Sequence, residues 1–179
     1  CSQLARWRAD GAEDLWVAVN LSARQLGGEA LVADIDAAVR HFGVPPSALR
    51  VEITESLLIE NVEQATATLR LLRALGVQVV VDDFGTGFSS LSYLSRFPVD
   101  VLKIDKSLMA GLGRDERDTA IVTAVVGLAH TLGLEAIGEG VEDEHQFAAL
   151  RALGCDQAQG FLFGRPKAGS EVTPADRSA

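Results

Sequence analysis

The run Val77-Gln78-Val79-Val80-Val81-Asp82-Asp83 has the length and β-branched content of a buried strand, and it stops abruptly at two adjacent carboxylates. Five other stretches share its rhythm. Leu15-Trp16-Val17-Ala18-Val19 runs into Asn20, and Leu49-Arg50-Val51 into Glu52, with Glu55 close behind. Val101-Leu102 reaches Lys103 and Asp105, Leu134 to Gly138 reaches Glu139 and Glu142, and Cys155 to Ala158 reaches Gln159. When parallel strands close into a barrel, the residues at their C-terminal ends converge on one face, and active sites are built there. Separation along the chain therefore does not keep these groups apart in space. Together they read as a divalent-metal site with a cationic helper.

Helical segments fill the intervals. Gln3 to Ala9 reads as a helix, and Ala30 to Phe42 shows helical spacing before Gly43 and Pro45-Pro46. Asn61 can cap a helix through Leu75, ended by Gly76, whose Leu69-Leu71-Leu72-Leu75 cluster is expected to pack in the core. A glycine-rich loop from Phe84 to Gly87 precedes a short helix over Ser89 to Arg96. Thr119 to Leu132 and Asp143 to Leu153 are further helices, ended by Gly133 and Gly154. His41, His130 and His145 fall within helical patterns without mutual spacing and read as surface residues. From Lys167 onward small and polar residues predict a fraying tail over 167–179, leaving one domain over 1–166. Alternating βα units place the chain in the α/β class with a parallel sheet. Six strands allow an open doubly wound sheet, but a ligating residue at nearly every strand end favours a TIM-like (β/α)8 barrel. Such a barrel has eight strands in roughly 250 residues, so two strands are expected to be missing.

The 179 residues can bury one substantial core, and 47% hydrophobic with 23% charged residues is ordinary for a packed domain. A net charge of −9 argues against a nucleic-acid polymer as partner. No apolar run approaches the roughly 20 residues that span a bilayer. Cys1 and Cys155 lack metal-type spacing, as expected for a reducing compartment, so the cytoplasm is the expected location. The chain opens on Cys1 within a helical stretch, which points to a fragment or a processed product.

The stretches Val19-Asn20-Leu21-Ser22, Glu52-Ile53-Thr54-Glu55-Ser56, Asp82-Asp83-Phe84-Gly85-Thr86-Gly87, Leu102-Lys103-Ile104-Asp105, Glu139-Gly140-Val141-Glu142 and Gln159-Gly160-Phe161-Leu162-Phe163 occur in the order and approximate spacing of EAL domains. The chain resembles that family of bacterial cyclic-di-GMP phosphodiesterases from Cys1 to Pro166. Phe88 stands where the family usually has Tyr, and Gly138 where Ala commonly precedes the Glu. The name-giving Glu-Ala-Leu segment, expected on one of the first two strands, is read as absent from this sequence. That matches the two missing strands, and it removes one metal ligand and a substrate-contacting Arg.

The resemblance implies a two-metal site for Mg²⁺ or Mn²⁺, which prefer carboxylate and amide oxygens. It assigns Asn20, Glu52 and Asp82 to the first cation, and Asp82, Asp83 and Glu139 to the second. It further implies that Lys103 orients or deprotonates the attacking water, that Glu142 acts at the edge of the site, and that Gln159 positions water or phosphate. Glu55 would anchor the loop after Asp83, while Asp105 and Pro166 would touch substrate. Plainer roles compete with these. Asp105 is equally suited to capping the Lys106–Met109 turn, Lys103 to a structural ion pair, and Asn20 to a cap.

Three functions follow: a metal-dependent hydrolase giving linear pGpG, a non-hydrolysing cyclic-di-GMP receptor, and a one-metal barrel enzyme abstracting a proton beside a carboxylate. The intact acidic ligands and the adjacent Asp pair favour the first. The resemblance also implies a preceding sensory or diguanylate-cyclase-type domain, with membrane tethering through such domains, and a homodimer formed near the loop after Asp83. A chain truly beginning at Cys1 is expected to be poorly soluble or oligomeric, with weak hydrolysis, because two sheet edges stand open.

Overall fold

The computed structural model describes residues 1–28, 30–55, 57, 62–85, 94 and 96–172. Its backbone is a six-stranded, all-parallel sheet in the order β1-β2-β3-β4-β5-β6, comprising Val17–Asn20, Leu49–Thr54, Gln78–Phe84, Val101–Ile104, Glu135–Glu139 and Gln157–Gln159. The helices are α1 (Ser2–Ala9), α2 (Ala23–Leu26), α3 (Leu31–Phe42), α4 (Val62–Ala74), α5 (Glu116–Thr131) and α6 (Glu144–Ala152). Each strand lies beside the next one in sequence, as repeated right-handed βα crossovers require. The sheet curls into an incomplete barrel with β1 and β6 at its two edges.

Strand alternation divides the side chains between two faces. On the convex face Val51, Ile53, Val79, Val81, Leu102 and Ile104 are almost fully buried, in one cluster with Leu69 and Leu72 of α4 and Val122 and Val126 of α5. Burying each such side chain contributes about 2 kcal/mol, and this layer holds the helices on the sheet. Leu71, expected in the core, is 56% exposed. One residue before Leu72, it is turned about 100° away from the buried stripe.

The concave face is built in three tiers. At the N-terminal end of the strands Arg50, Gln78, Glu135 and Gln157 meet, followed by an apolar tier of Val80, Val101 and Ile137. Glu52, Asp82, Lys103 and Glu139 form the tier at the C-terminal end. Arg50 demonstrates the curl. Its guanidinium reaches Gln157 at 3.2 Å, although β2 and β6 are four strands apart, about 19 Å in a flat sheet.

The glycines that end helices in the sequence do so here, with φ between 64° and 92° at Gly43, Gly76, Gly133 and Gly154. α5 begins at Glu116, three residues before the expected Thr119, because the Asp115 carboxylate accepts from the N–H groups of Arg117 and Asp118. The polar Glu116-Arg117-Asp118 turn carries no apolar periodicity. β3 continues to Phe84, beyond the expected end at Asp82. Residues 167–172 lie against α1, where the Trp7 indole donates to the Val172 carbonyl at 3.2 Å. Asn61, Thr86, Gly87, Phe88 and most of the helix expected over Ser89 to Arg96 lie outside the described residues.

Candidate metal centre and active site

Because every strand runs the same way, Asn20, Glu52, Asp82, Lys103, Glu139 and Gln159 all stand at one end of the sheet. Lys103 is at its middle, only 5% exposed. Its Nζ lies 3.0 Å from Glu52, 3.0 Å from Asp82 and 2.6 Å from Glu139, on three different strands. Burial alone would lower the pKa of this ammonium. The hydrogen bonds and charges of Glu139 and Glu52 outweigh burial and hold it above the usual lysine value.

In a regular strand adjacent side chains point to opposite faces, so Asp82 and Asp83 need a break in the ladder to act together. β3 supplies one. Its register with β4 shifts between Val81 and Phe84, and Asp83 has φ of 56°, the only non-glycine with positive φ among the described residues. The Asp83 N–H turns back to donate to Asp82 Oδ1 at 3.0 Å. Such a conformation costs about 1–3 kcal/mol and persists only where its surroundings enforce it. The bulge brings carboxylate oxygens of Asp82, Asp83 and Glu139 within 4.8 Å of one another.

The site carries negative charge that the chain does not fully balance. Burial, then the charges of Asp82 and Asp105, raise the pKa of Asp83. Burial also raises that of Glu139, against the pull of Lys103 and with the push of Asp82 and Glu52. A divalent cation would relieve both, and a compact all-oxygen donor set suits Mg²⁺, Mn²⁺ or Ca²⁺ over softer ions.

The remaining residues flank this tier. Asp105 is 8% exposed and caps the 3-10 turn Lys106–Leu108, accepting from the Ser107 N–H at 2.8 Å. Its pKa is lowered because the bonds from Ser107 outweigh burial. Asn20 is exposed beside its register partner Glu52. Gln159 is exposed at the end of β6, and its carbonyl accepts from the Val141 N–H at 3.0 Å. Gly160 permits that contact, since a Cβ there would collide with the backbone of Val141. Glu142 and Pro166 are exposed. Glu55 is half-buried just beyond β2, and the loop it was expected to anchor lies largely outside the described residues. The tripeptide Glu-Ala-Leu, read as absent, does occur at positions 29–31, but Leu31 opens α3 and Ala30 is its N-cap, whereas Glu29 lies outside the described residues.

Sequence reasoning passed over two buried polar residues, Arg50 and Gln146. Arg50 carries no local signal, because its partners come from three other strands and from the Trp16 ring, 3.8 Å from the guanidinium carbon. Gln146 was legible as the last member of an Asp143-x-x-Gln capping box. A groove of about 940 Å³ lined by Trp16, Phe147, Cys155, Gln157 and Phe163 contains none of the strand-end carboxylates. Acid chemistry, more than cavity size, marks the site.

The EAL domain family matches residues 1–166. MucR of Pseudomonas aeruginosa, a bifunctional diguanylate cyclase/cyclic di-GMP phosphodiesterase, is 44% identical over 166 residues, covering 93% of this chain and 24% of MucR. The solved phosphodiesterase of P. aeruginosa MucR in complex with c-di-GMP superposes with a TM-score of 0.89 at 43% identity, covering 96% of this chain and 69% of that one. Klebsiella pneumoniae BlrP1, solved as a manganese/cy-diGMP complex, gives a TM-score of 0.85 at 30% identity, covering 94% of this chain and 42% of BlrP1. The chain spans about a fifth to a quarter of the length of the curated relatives it matches. With its incomplete parallel barrel and strand-end carboxylates, the chain belongs to the EAL domain family.

Proposed function

We propose that residues 1–166 hydrolyse cyclic-di-GMP to the linear, 5′-phosphorylated dinucleotide pGpG with the help of two Mg²⁺ or Mn²⁺ ions, and that 167–179 form a C-terminal tail. The observation that carries this reading is the Asp82–Asp83–Glu139 cluster beside Lys103, because no stability requirement explains a strained bulge that concentrates carboxylates. Its donors fit the ions. Asp82, Asp83 and Glu139 would hold one cation, and Asn20, Glu52 and Asp82 the other. When bound, such a pair offsets phosphate charge and lowers the pKa of a coordinated water.

The chain's own groups act around that pair. The Lys103 ammonium donates toward the attacking water and directs its oxygen at phosphorus. Attack forms a P–O bond and breaks the bond to the 3′ oxygen, which leaves with a proton as a 3′ hydroxyl. Glu142 closes the rim, Gln159 orients water or phosphate, Glu55 supports the loop after Asp83, and Asp105 and Pro166 contact the nucleotide. Among the described residues no helix is long and apolar enough to cross a membrane. A cytoplasmic setting, a further signalling domain in the same protein and a homodimer belong to the same proposal, and the further domain is supported by the bifunctional name of MucR, of which this chain covers 24%.

The test is turnover of cyclic-di-GMP by the intact gene product with Mg²⁺ or Mn²⁺, followed by chromatography of the product. Appearance of pGpG that stops on chelation supports the reading. Tight nucleotide binding without turnover overturns it in favour of a receptor, and no binding at all overturns both.

A further inference from the structure

Among the described residues the buried polar and charged groups are Arg50, Lys103, Asp105 and Gln146. The two interior tiers and the turn cap account for the first three. Gln146, 7% exposed in the first turn of α6, belongs to none of them. Its Oε1 accepts from the N–H groups of Glu142 at 2.7 Å and Asp143 at 3.3 Å, and its Nε2 donates to the Met109 carbonyl at 3.1 Å. The Asp143 contact is half of the helix cap, completed by Asp143 Oδ1 accepting from the Gln146 N–H at 2.9 Å. Glutamate serves that cap as well as glutamine does.

The bond to Met109 makes a different demand. A carbonyl must be met by a donor, so the amide is required and a carboxylate cannot replace it. Met109 closes the 3-10 turn that follows Asp105. Lys106, which opens that turn, packs so tightly under Gly140 that an added Cβ at 140 would collide with its own Cβ. One side chain therefore clamps the loop after β5, which carries Glu142, to the turn after β4, which Asp105 caps two residues beyond Lys103.

We infer that Gln146 is a positioning residue of the site, whose amide sets where Glu142 stands relative to Lys103. The inference rests on the hydrolase reading above. Gln146→Glu keeps both acceptor bonds and loses the donor to Met109. In the intact gene product, kcat for cyclic-di-GMP with Mn²⁺ is expected to fall roughly tenfold or more, with KM changing less than about twofold. In a Glu142→Gln background the same change should cost less than about twofold, because the group it acts through is already altered. Amide exchange should quicken at Glu142 and Asp143 while Val79 and Leu102 stay protected. Should Gln146→Glu not fold, Gln146→Met, which removes all the side-chain bonds at similar length, is measured in its place. Unchanged kcat, or an equal loss in both backgrounds, overturns the inference and leaves the hydrolase reading standing. No turnover by the unaltered protein removes the reading and the inference with it.

Discussion

Lys103 and the carboxylates around it make opposite demands on pH. The lysine's pKa is raised in the folded chain, so its contribution is fully present below the unfolded value of about 10.4 and is lost only as pH rises through the higher folded value. It is constant across the neutral range. Asp83 and Glu139 are raised acids, so the folded state holds their protons longer, and stability falls as pH rises through the carboxylate range. A bound cation should remove that cost. The increase in melting temperature produced by Mn²⁺ is therefore expected to be larger at about pH 7 than at about pH 5, since the ligands must be deprotonated. Equal increases would count against these ligands. Asp82→Ala, which removes the proposed bridge between two cations, should abolish turnover and the Mn²⁺ effect on melting, whereas Asp105→Asn should do less. Lys103→Ala should reduce kcat roughly a hundredfold or more with a smaller change in nucleotide affinity. A loss confined to affinity would assign Lys103 to binding.

At the scale of elements, short polar contacts seat the strand ends on their neighbours. Gly160 lets the turn after β6 lie flat on Val141, and a Cβ there meets backbone that cannot swing aside. Gly160→Ala should thus cost about 2 kcal/mol or more in urea unfolding and loosen the end of β6 that carries Gln159. At the other end of β6 the Asp156 carboxylate accepts from the Ala136 N–H at 2.8 Å and pairs with His130 at 2.9 Å. Burial opposes its ionisation, but these bonds outweigh burial and lower its pKa. For a depressed acid the contribution is present above the unfolded pKa of about 3.9 and lost as pH falls through the folded value. Asp156→Ala is therefore expected to destabilise the neutral protein by about 1 kcal/mol, with the difference shrinking below about pH 4. A difference that persisted in acid would assign the effect to packing.

Across the whole molecule, the buried Arg50 guanidinium binds β2 to β3 and β6 at the base of the concave face. Arg50 lies two residues before Glu52 on the same face of β2, so the curl it secures also aims Glu52 at Lys103. Arg50→Met keeps an unbranched apolar side chain but removes the guanidinium from the Trp16 ring and leaves Gln157 and Glu135 without their cation. We expect a loss of about 2 kcal/mol or more and weaker Mn²⁺ binding, read by denaturant unfolding and by titration. Unaltered metal affinity would show that the upper tier converges without help from the lower one.

The order of the strands, the helices α1, α3, α4, α5 and α6 and the polar residue at each strand end were legible in the sequence, whereas the four-residue α2 was not and the helix expected over Ser89 to Arg96 lies largely outside the described residues. Those features are written in local code: β-branched runs, helical periodicity and terminal glycines, each decided within a few residues. Leu71 shows the limit of that code, because a neighbour of two core leucines reads as core until the helix phase is known. Asp82 and Asp83 were legible as a pair of acids, but their sharing of one face depends on the bulge and the positive φ at Asp83, which neighbouring strands enforce. Arg50 and the Met109 bond of Gln146 were not legible, since their partners lie 28 to 107 and 37 residues away in the chain. Local propensity acts over one turn or one pleat, whereas a buried charge or amide is satisfied by whatever the closed sheet brings to it, and only the tertiary structure decides that.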